Sequence, residues 1–167
     1  MAVQVAGALL EKAGMKDEDA FLKVFIDAYL KETGNRLDNS SMPKLNGWQH
    51  SLLAYHYFRE EVLQGGFVQL IQNGFGSYIF RNPFAKALRI FGAEELSKIV
   101  YKAREIYDAN QKELERETTE EEFHAMYEQF EAFDELEERF FNIEEDCTIA
   151  IARYVDAHLE EFAEILP

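Results

Sequence analysis

The sequence is poor in the residues that cross-link or interrupt a fold. Its 167 residues include one cysteine, three prolines and nine glycines. The single cysteine, Cys147, excludes a disulfide or a cysteine metal cluster within one chain, and it favours a reducing, cytoplasmic compartment. The prolines and glycines form no linker-like cluster. We therefore predict a single domain over residues 1–167.

Long apolar runs and excess positive charge are also missing. No stretch approaches the ~18 consecutive apolar residues that span a membrane. The net charge of −15 argues against direct binding to nucleic acid or to an anionic membrane, since both need excess lysine and arginine. The negative charge is unevenly placed: residues 1–107 hold 12 acids and 13 bases, whereas residues 108–167 hold 20 acids and 4 bases. The sequence thus has a near-neutral part and a strongly acidic part.

Apolar residues recur at spacings of three and four along most of the chain, as they do on one face of an α-helix. A first such helix in segment 16–33 should end at Gly34, because glycine suits the left-handed position after a helix. Pro43 fits the first turn of the next helix. No run shows the alternation of a strand. These patterns predict an all-α fold, an irregular bundle of about six to eight helices.

The acidic part contains the clearest helix signals. Thr118 with Glu121, or Thr119 with Glu122, fits a capping box at the start of a helix. Asn142 is predicted to cap a separate final helix. Acidic residues lie between the apolar positions of these helices, so helix formation should place them at the surface.

One segment carries a recognisable motif. The run Glu60-Glu61-Val62-Leu63-Gln64-Gly65-Gly66-Phe67-Val68-Gln69-Leu70-Ile71-Gln72-Asn73-Gly74-Phe75-Gly76, followed by Ala87-Leu88 and Phe91-Gly92-Ala93, resembles the signature of the bacterial DNA-mimic protein family. The resemblance covers about residues 48–110, and an acidic helical part after Phe133 is also usual in that family. Gln64, Leu70-Ile71 and Phe91 depart from the usual pattern in ways that suggest altered packing.

The resemblance implies an all-α fold and less about activity, because most members of the family have no assigned function. The family takes its name from an acidic surface proposed to imitate DNA and to occupy DNA-binding proteins. Independently of the resemblance, paired glycines permit positive φ and close backbone approach. We predict a corner between two helices rather than a ligand loop, because no phosphate-binding pattern accompanies the glycines. The motif residues are Glu61, Gly65, Gly66, Phe67, Asn73 and Gly76.

No arrangement typical of catalysis stands out. Glu121 and His124 form one Glu-x-x-His pair, whereas di-iron bundles use two, and this pair overlaps the predicted helix cap. Adjacent Glu60 and Glu61 diverge if they lie on a helix, and one of them is expected to bond backbone amides at the glycine corner. We expect Cys147 to be buried and inert. The sequence therefore favours a binding protein without cofactor or metal, and a carboxylate–metal enzyme using Glu60, Glu61, Glu121 and His124 is the less favoured alternative.

The acidic surface is the remaining candidate site. Charge runs are usually solvated surface, but 20 acids against 4 bases departs from the mixed charges of ordinary surfaces. Rows of carboxylates along helices could imitate the phosphates of DNA. The expected partner is a basic DNA-binding protein, such as a repressor or nucleoid protein. An immunity or antitoxin-like protein, or a scaffold subunit, is the alternative, and a homodimer remains open. The predicted contact residues are Glu128, Glu131, Asp134, Glu135, Glu138, Glu145, Asp146, Glu160 and Glu161.

Overall fold

The structure, a computed structural model, describes residues 2–167 and confirms the all-α prediction. The described helices run in chain order as α1 (Gly7–Lys16), α2 (Glu18–Thr33), α3 (Gly47–Gln72), α4 (Gly76–Phe80), α5 (Phe84–Ile90), α6 (Glu94–Glu115), α7 (Glu120–Gln129), α8 (Asp134–Ala157) and α9 (Leu159–Phe162). Short 3₁₀ helices occupy Met42–Lys44 and Glu131–Phe133. Within residues 2–167, no helix is both long and apolar enough to cross a membrane.

Local signals set several of the helix ends. The Asp17 carboxylate caps α2 by accepting a hydrogen bond from the Ala20 amide at 2.7 Å, and Gly34 ends the helix with φ of 65°. Thr119 and Glu122 form the predicted capping box of α7, in which each side chain accepts from the other residue's backbone amide. The end at Gly34 and the capping box at Thr119 lie where the sequence predicts them, whereas the cap at Asp17 was not predicted.

Three local predictions are wrong. Pro43 lies in the 3₁₀ helix Met42–Lys44 rather than in α3, whose start is instead capped by Asn46. Asn142 is an interior residue of α8 and caps nothing, because an unbroken helix runs through it. The chain also contains two strands, β1 (Gln4–Ala6) and β2 (Glu164–Leu166), paired in parallel. Each has only three residues, which is too short for an alternating pattern to show.

The chain divides into two compact units. Unit 1 comprises residues 2–53 and 145–167, and unit 2 comprises residues 54–144. The change in charge after residue 107 falls within unit 2. Helices α3 and α8 each contribute residues to both units.

Unit 1 packs α1, α2 and the β1–β2 pair around a buried apolar centre that includes Phe25 and Phe162. The Tyr29 hydroxyl donates a hydrogen bond to the Phe162 carbonyl at 2.7 Å, which gives this buried polar atom a partner. Unit 2 has an aromatic core in which Phe58 contacts Phe67 and Phe140 edge to face. The packed rings of unit 2 surround the position where α3 bends.

Candidate acidic interface

The predicted glycine corner is the best-defined feature of unit 2. Helix α3 bends at Gly66, whose φ of 74° and ψ of −172° lie in a region that residues with a side chain strongly disfavour. The next residue, Phe67, is fully buried and stacks on Phe133 with ring centroids 5.1 Å apart. The motif therefore forms a corner, as predicted, and its aromatic residue anchors the corner in the core.

A carboxylate that sequence analysis missed holds this corner. Glu137 Oε2 accepts a hydrogen bond from the Phe67 amide at 2.7 Å, and a Cβ at Gly66 would overlap the same carboxylate oxygen. Burial raises the pKa of Glu137, and nearby Asp134 raises it further, whereas the bond from Phe67 opposes the rise. Glu137 was missed because it lies in a run of acids that all look like surface residues.

The other motif residues also have structural partners. The Tyr127 hydroxyl donates to the Gly65 carbonyl at 2.8 Å. Glu61 Oε2 accepts hydrogen bonds from the side-chain amides of Gln69 at 2.8 Å and Asn73 at 3.0 Å. The sequence predicts that Glu60 or Glu61 bonds backbone amides at the corner, and for Glu61 this prediction is wrong. The corner thus ties the end of α3 to α7 and to the start of α8.

Two further glycines shape the end of the motif. The left-handed turn after α3 falls on Gly74, with φ of 89°. Gly76 is needed for close approach, since a Cβ there would lie 2.8 Å from the Tyr107 ring. Both glycines shape the turn into α4.

The corner fixes a strongly acidic stretch of unit 2. Residues 117–138 contain ten acids and no lysine or arginine. Five of the predicted contact residues lie here, and all five are exposed. We call these five the acidic segment: Glu128, Glu131, Asp134, Glu135 and Glu138. None of them forms an ion pair with a basic side chain of residues 2–167.

Other acids of unit 2 are neutralised locally. Arg116 forms ion pairs with Glu113 at 2.9 Å and with Glu122 at 2.7 Å. The bond from Arg116, together with bonds at Thr119, lowers the pKa of Glu122 to about 2. Arg139 lies 3.7 Å from Glu95. These pairings leave the acidic segment as uncompensated negative charge.

The other four predicted contact residues belong to unit 1. Glu145, Asp146 and Glu160 are exposed, whereas Glu161 is partly buried. The structure therefore divides the nine predicted residues between the two units, five in one and four in the other.

The alternative metal site has no support in the described geometry. Within residues 2–167, no three His, Cys, Asp or Glu side chains come together as a possible metal-binding group. Of the four residues proposed for it, Glu61 serves the corner and the exposed His124 lies 3.9 Å from Glu120. Cys147 is buried, as predicted.

Comparison with known proteins agrees with the motif. The sequence model of the family described as DMP19-like protein matches residues 43–158, which include the glycine corner and the acidic segment. The DNA mimic protein DMP19 of Neisseria meningitidis serogroup B (strain ATCC BAA-335 / MC58) is 32% identical over 158 residues, covering 94% of this chain and 95% of that protein. The resemblance seen in the sequence is thereby confirmed.

Proposed function

The chain belongs to the DMP19-like protein family, and we propose that it acts as a DNA mimic that occupies the DNA-binding surface of a transcription regulator or a nucleoid protein. The observation that carries the proposal is the unpaired charge of the acidic segment. A basic DNA-binding surface attracts such charge as it attracts phosphates, and long-range attraction speeds the encounter. The proposed role is binding rather than catalysis, and it requires no cofactor.

Helix stability accounts for only part of this charge. Asp134 and Glu135 lie in the first turn of α8, where negative charge is favourable. Glu128, in contrast, is the penultimate residue of α7, where the helix dipole disfavours an acid. Glu138 lies beyond the first turn of α8 and gains little from the dipole. Stability alone therefore does not explain why Glu128 and Glu138 are acidic, whereas recognition by a basic partner does.

The spacing of the acidic segment suits a phosphate-like row. On α8, Asp134 precedes Glu138 by four residues, a separation at which side chains lie ~5–6 Å apart along a helix. Glu131 lies in the short 3₁₀ helix just before α8. Phosphates recur on a similar scale along a DNA strand, with one charge per ~3.4 Å of axis per strand. The corner at Gly66 and Glu137 supports this arrangement by fixing the start of α8.

Capture and displacement together test the proposal. The immobilised full chain is used to capture proteins from host lysate at low salt, and captured DNA-binding proteins are purified. Each is then loaded with a fluorescent DNA duplex, and the chain is added. We expect the chain to release the duplex, with an effect that weakens as salt rises because charge drives the contact.

Matched variants locate the surface. The test variant replaces Glu128, Glu131 and Glu138 by glutamine, which removes three charges and keeps side-chain shape. Its control replaces three exposed acids of unit 2 outside the acidic segment, Glu60, Glu94 and Glu105. Since both variants lose the same net charge, only the position of the charge differs. We expect the test variant to need at least tenfold more protein for half-release, and the control less than threefold.

Three results would oppose the proposal. Equal displacement by test variant and control would remove the acidic segment from the contact. Capture of DNA-binding proteins without release of DNA would show binding away from the DNA site. Specific capture of a basic toxin instead would favour the immunity or antitoxin-like alternative. Glu145, Asp146 and Glu160 in unit 1 are proposed as further contacts and are tested by the same assay.

A further inference from the structure

Unit 1 carries a ladder of three stacked aromatic rings. Trp48 stacks on Tyr154 with centroids 6.0 Å apart, and Tyr154 stacks on His158 with centroids 4.0 Å apart. The rings of Trp48 and Tyr154 both meet the edge of buried Phe162, at 6.5 and 6.2 Å. His158 is also held by its Nδ1, which donates to the Tyr154 carbonyl at 2.8 Å. All three rings of the ladder are partly exposed, so it is a fixed feature of the surface.

A carboxylate without donors lies beside the ladder. Glu161 Oε2 is buried and accepts no hydrogen bond within residues 2–167, and Glu161 forms no ion pair with a described basic side chain. Burial raises the pKa of the Tyr154 phenol, and the Glu161 charge raises it further. A covered charge without donors is costly, and such groups in native proteins call for an explanation.

The backbone carbonyls of Glu161 and Phe162 both accept hydrogen bonds from side chains of unit 1. Asn46 Nδ2 donates to the Glu161 carbonyl at 3.1 Å, and Gln49 Nε2 donates to the Phe162 carbonyl at 3.0 Å. The Tyr29 hydroxyl also donates to the Phe162 carbonyl. These bonds fix the backbone of Glu161 and Phe162, and Phe162 contacts two rings of the ladder.

The pairing of aromatic faces with a carboxylate matches the chemistry of a guanidinium group. Aromatic faces attract cations, and Trp does so most strongly. The guanidinium of arginine is planar, stacks on rings and donates charge-assisted hydrogen bonds to a carboxylate, whereas the ammonium of lysine is a compact and strongly hydrated charge. Stacked rings beside a negative charge also resemble stacked bases beside a phosphate.

We propose that Trp48, Tyr154, His158 and Glu161 form a subsite for the guanidinium group of an arginine side chain. The source of the arginine rests on the proposed function, since a DNA-binding protein would present it. The subsite itself does not depend on that source and is testable without any partner.

The ladder contains its own reporter. Trp48 is the only tryptophan of the 167-residue chain, so tryptophan fluorescence reports on this subsite alone. The probes are N-acetyl-arginine amide, its neutral analogue N-acetyl-citrulline amide and N-acetyl-lysine amide, titrated into the full chain at constant ionic strength. We expect a saturable change with the arginine probe and a Kd of about 1–10 mM, the affinity of a few weak contacts. The lysine probe should bind several-fold more weakly and the citrulline probe not at all.

Two glutamates of unit 1 give a matched pair of variants. Glu161→Gln keeps the shape of the side chain and removes its charge, and should weaken arginine binding about tenfold because the charge-assisted hydrogen bonds are lost. Glu11→Gln removes an exposed charge elsewhere in unit 1 and should change the Kd less than twofold. Tyr154→Leu removes the middle ring and serves as a second test should Glu161→Gln fail to give a helical circular-dichroism spectrum.

The outcomes separate this inference from the proposed function. No saturable change with the arginine probe, equal binding of the citrulline or lysine probe, or an unchanged Kd in both Glu161→Gln and Tyr154→Leu would overturn the subsite. Release of DNA from a captured protein by a chain that fails these probe tests would leave the DNA-mimic role standing and remove the subsite. Probe binding without release of DNA would support the subsite and oppose the proposed function.

Discussion

Substitution of Gly66 by alanine is the most direct test of how the corner is held. An alanine would have to keep φ of 74° and ψ of −172°, which costs about 1–3 kcal/mol for a residue with a side chain. Its Cβ would also overlap Glu137 Oε2. The carboxylate would then withdraw from the Phe67 amide, and a buried amide without an acceptor costs about 1–3 kcal/mol. The two effects together predict a loss of about 2–6 kcal/mol in the free energy of unfolding.

Urea unfolding followed by circular dichroism measures this loss, with unchanged m-values as the condition for comparing variants. Gly74→Ala is the matched control. Gly74 also has positive φ, 89°, but a Cβ there meets nothing within 4 Å. Its substitution should cost only about 1–2 kcal/mol of backbone strain. The difference between the two variants isolates the overlap with Glu137.

A double-mutant cycle identifies the cause. If the overlap with Glu137 makes Gly66→Ala costly, the loss in the combined Gly66→Ala, Glu137→Ala variant should be smaller than the sum of the two single losses. Additive losses would show that the carboxylate is not involved. A Gly66→Ala variant as stable as Gly74→Ala would refute the account of the corner as a whole.

Three further changes test the supports around the corner. Burial raises the Glu137 pKa above its unfolded value, so the contribution of Glu137 to stability is fully present below the unfolded pKa and is lost as pH rises through the folded pKa. Urea unfolding at pH 4 and at pH 7 should therefore show that wild type loses stability relative to Glu137→Gln as pH rises. A stability difference that is the same at both pH values would contradict this. Thr119→Ala should cost about 1 kcal/mol by removing the acceptor for the Glu122 amide, while Thr119→Ser should cost much less. Tyr127→Phe should lose about 0.5–1.5 kcal/mol with the hydrogen bond to the corner carbonyl, and unchanged unfolding would mean that water replaces it.

Several features of both units are predicted by local signals in the sequence, because these signals act within a few residues. The capping box at Thr119, the stop at Gly34 and the corner at Gly66 depend on backbone conformation that the residue itself dictates. Asn142 shows the limit of such signals. Asparagine can cap a helix, but an apolar face continuing on both sides keeps α8 unbroken, and tertiary packing overrides the local preference.

Pairings between distant residues lie beyond such signals. The parallel pairing of Gln4 with Glu164 joins residues 160 positions apart, and three-residue strands leave no periodic trace. The aromatic ladder has the same origin, since Trp48 and Tyr154 meet only when α3 and α8 come together. The sequence predicts the acidic surface from composition alone, but not its division between two units.

The acidic run of α8 shows how neighbouring identical residues acquire opposite roles. Glu137 and Glu138 are adjacent, and composition treats them alike. Successive residues on a helix point about 100° apart, so one faces the corner and accepts from Phe67 while the other faces outward. The inner glutamate stabilises the position of α8, and the outer one contributes the charge that α8 presents. Because α8 carries both glutamates, the buried carboxylate of Glu137 at the glycine corner orients the exposed carboxylates that α8 contributes to the acidic segment.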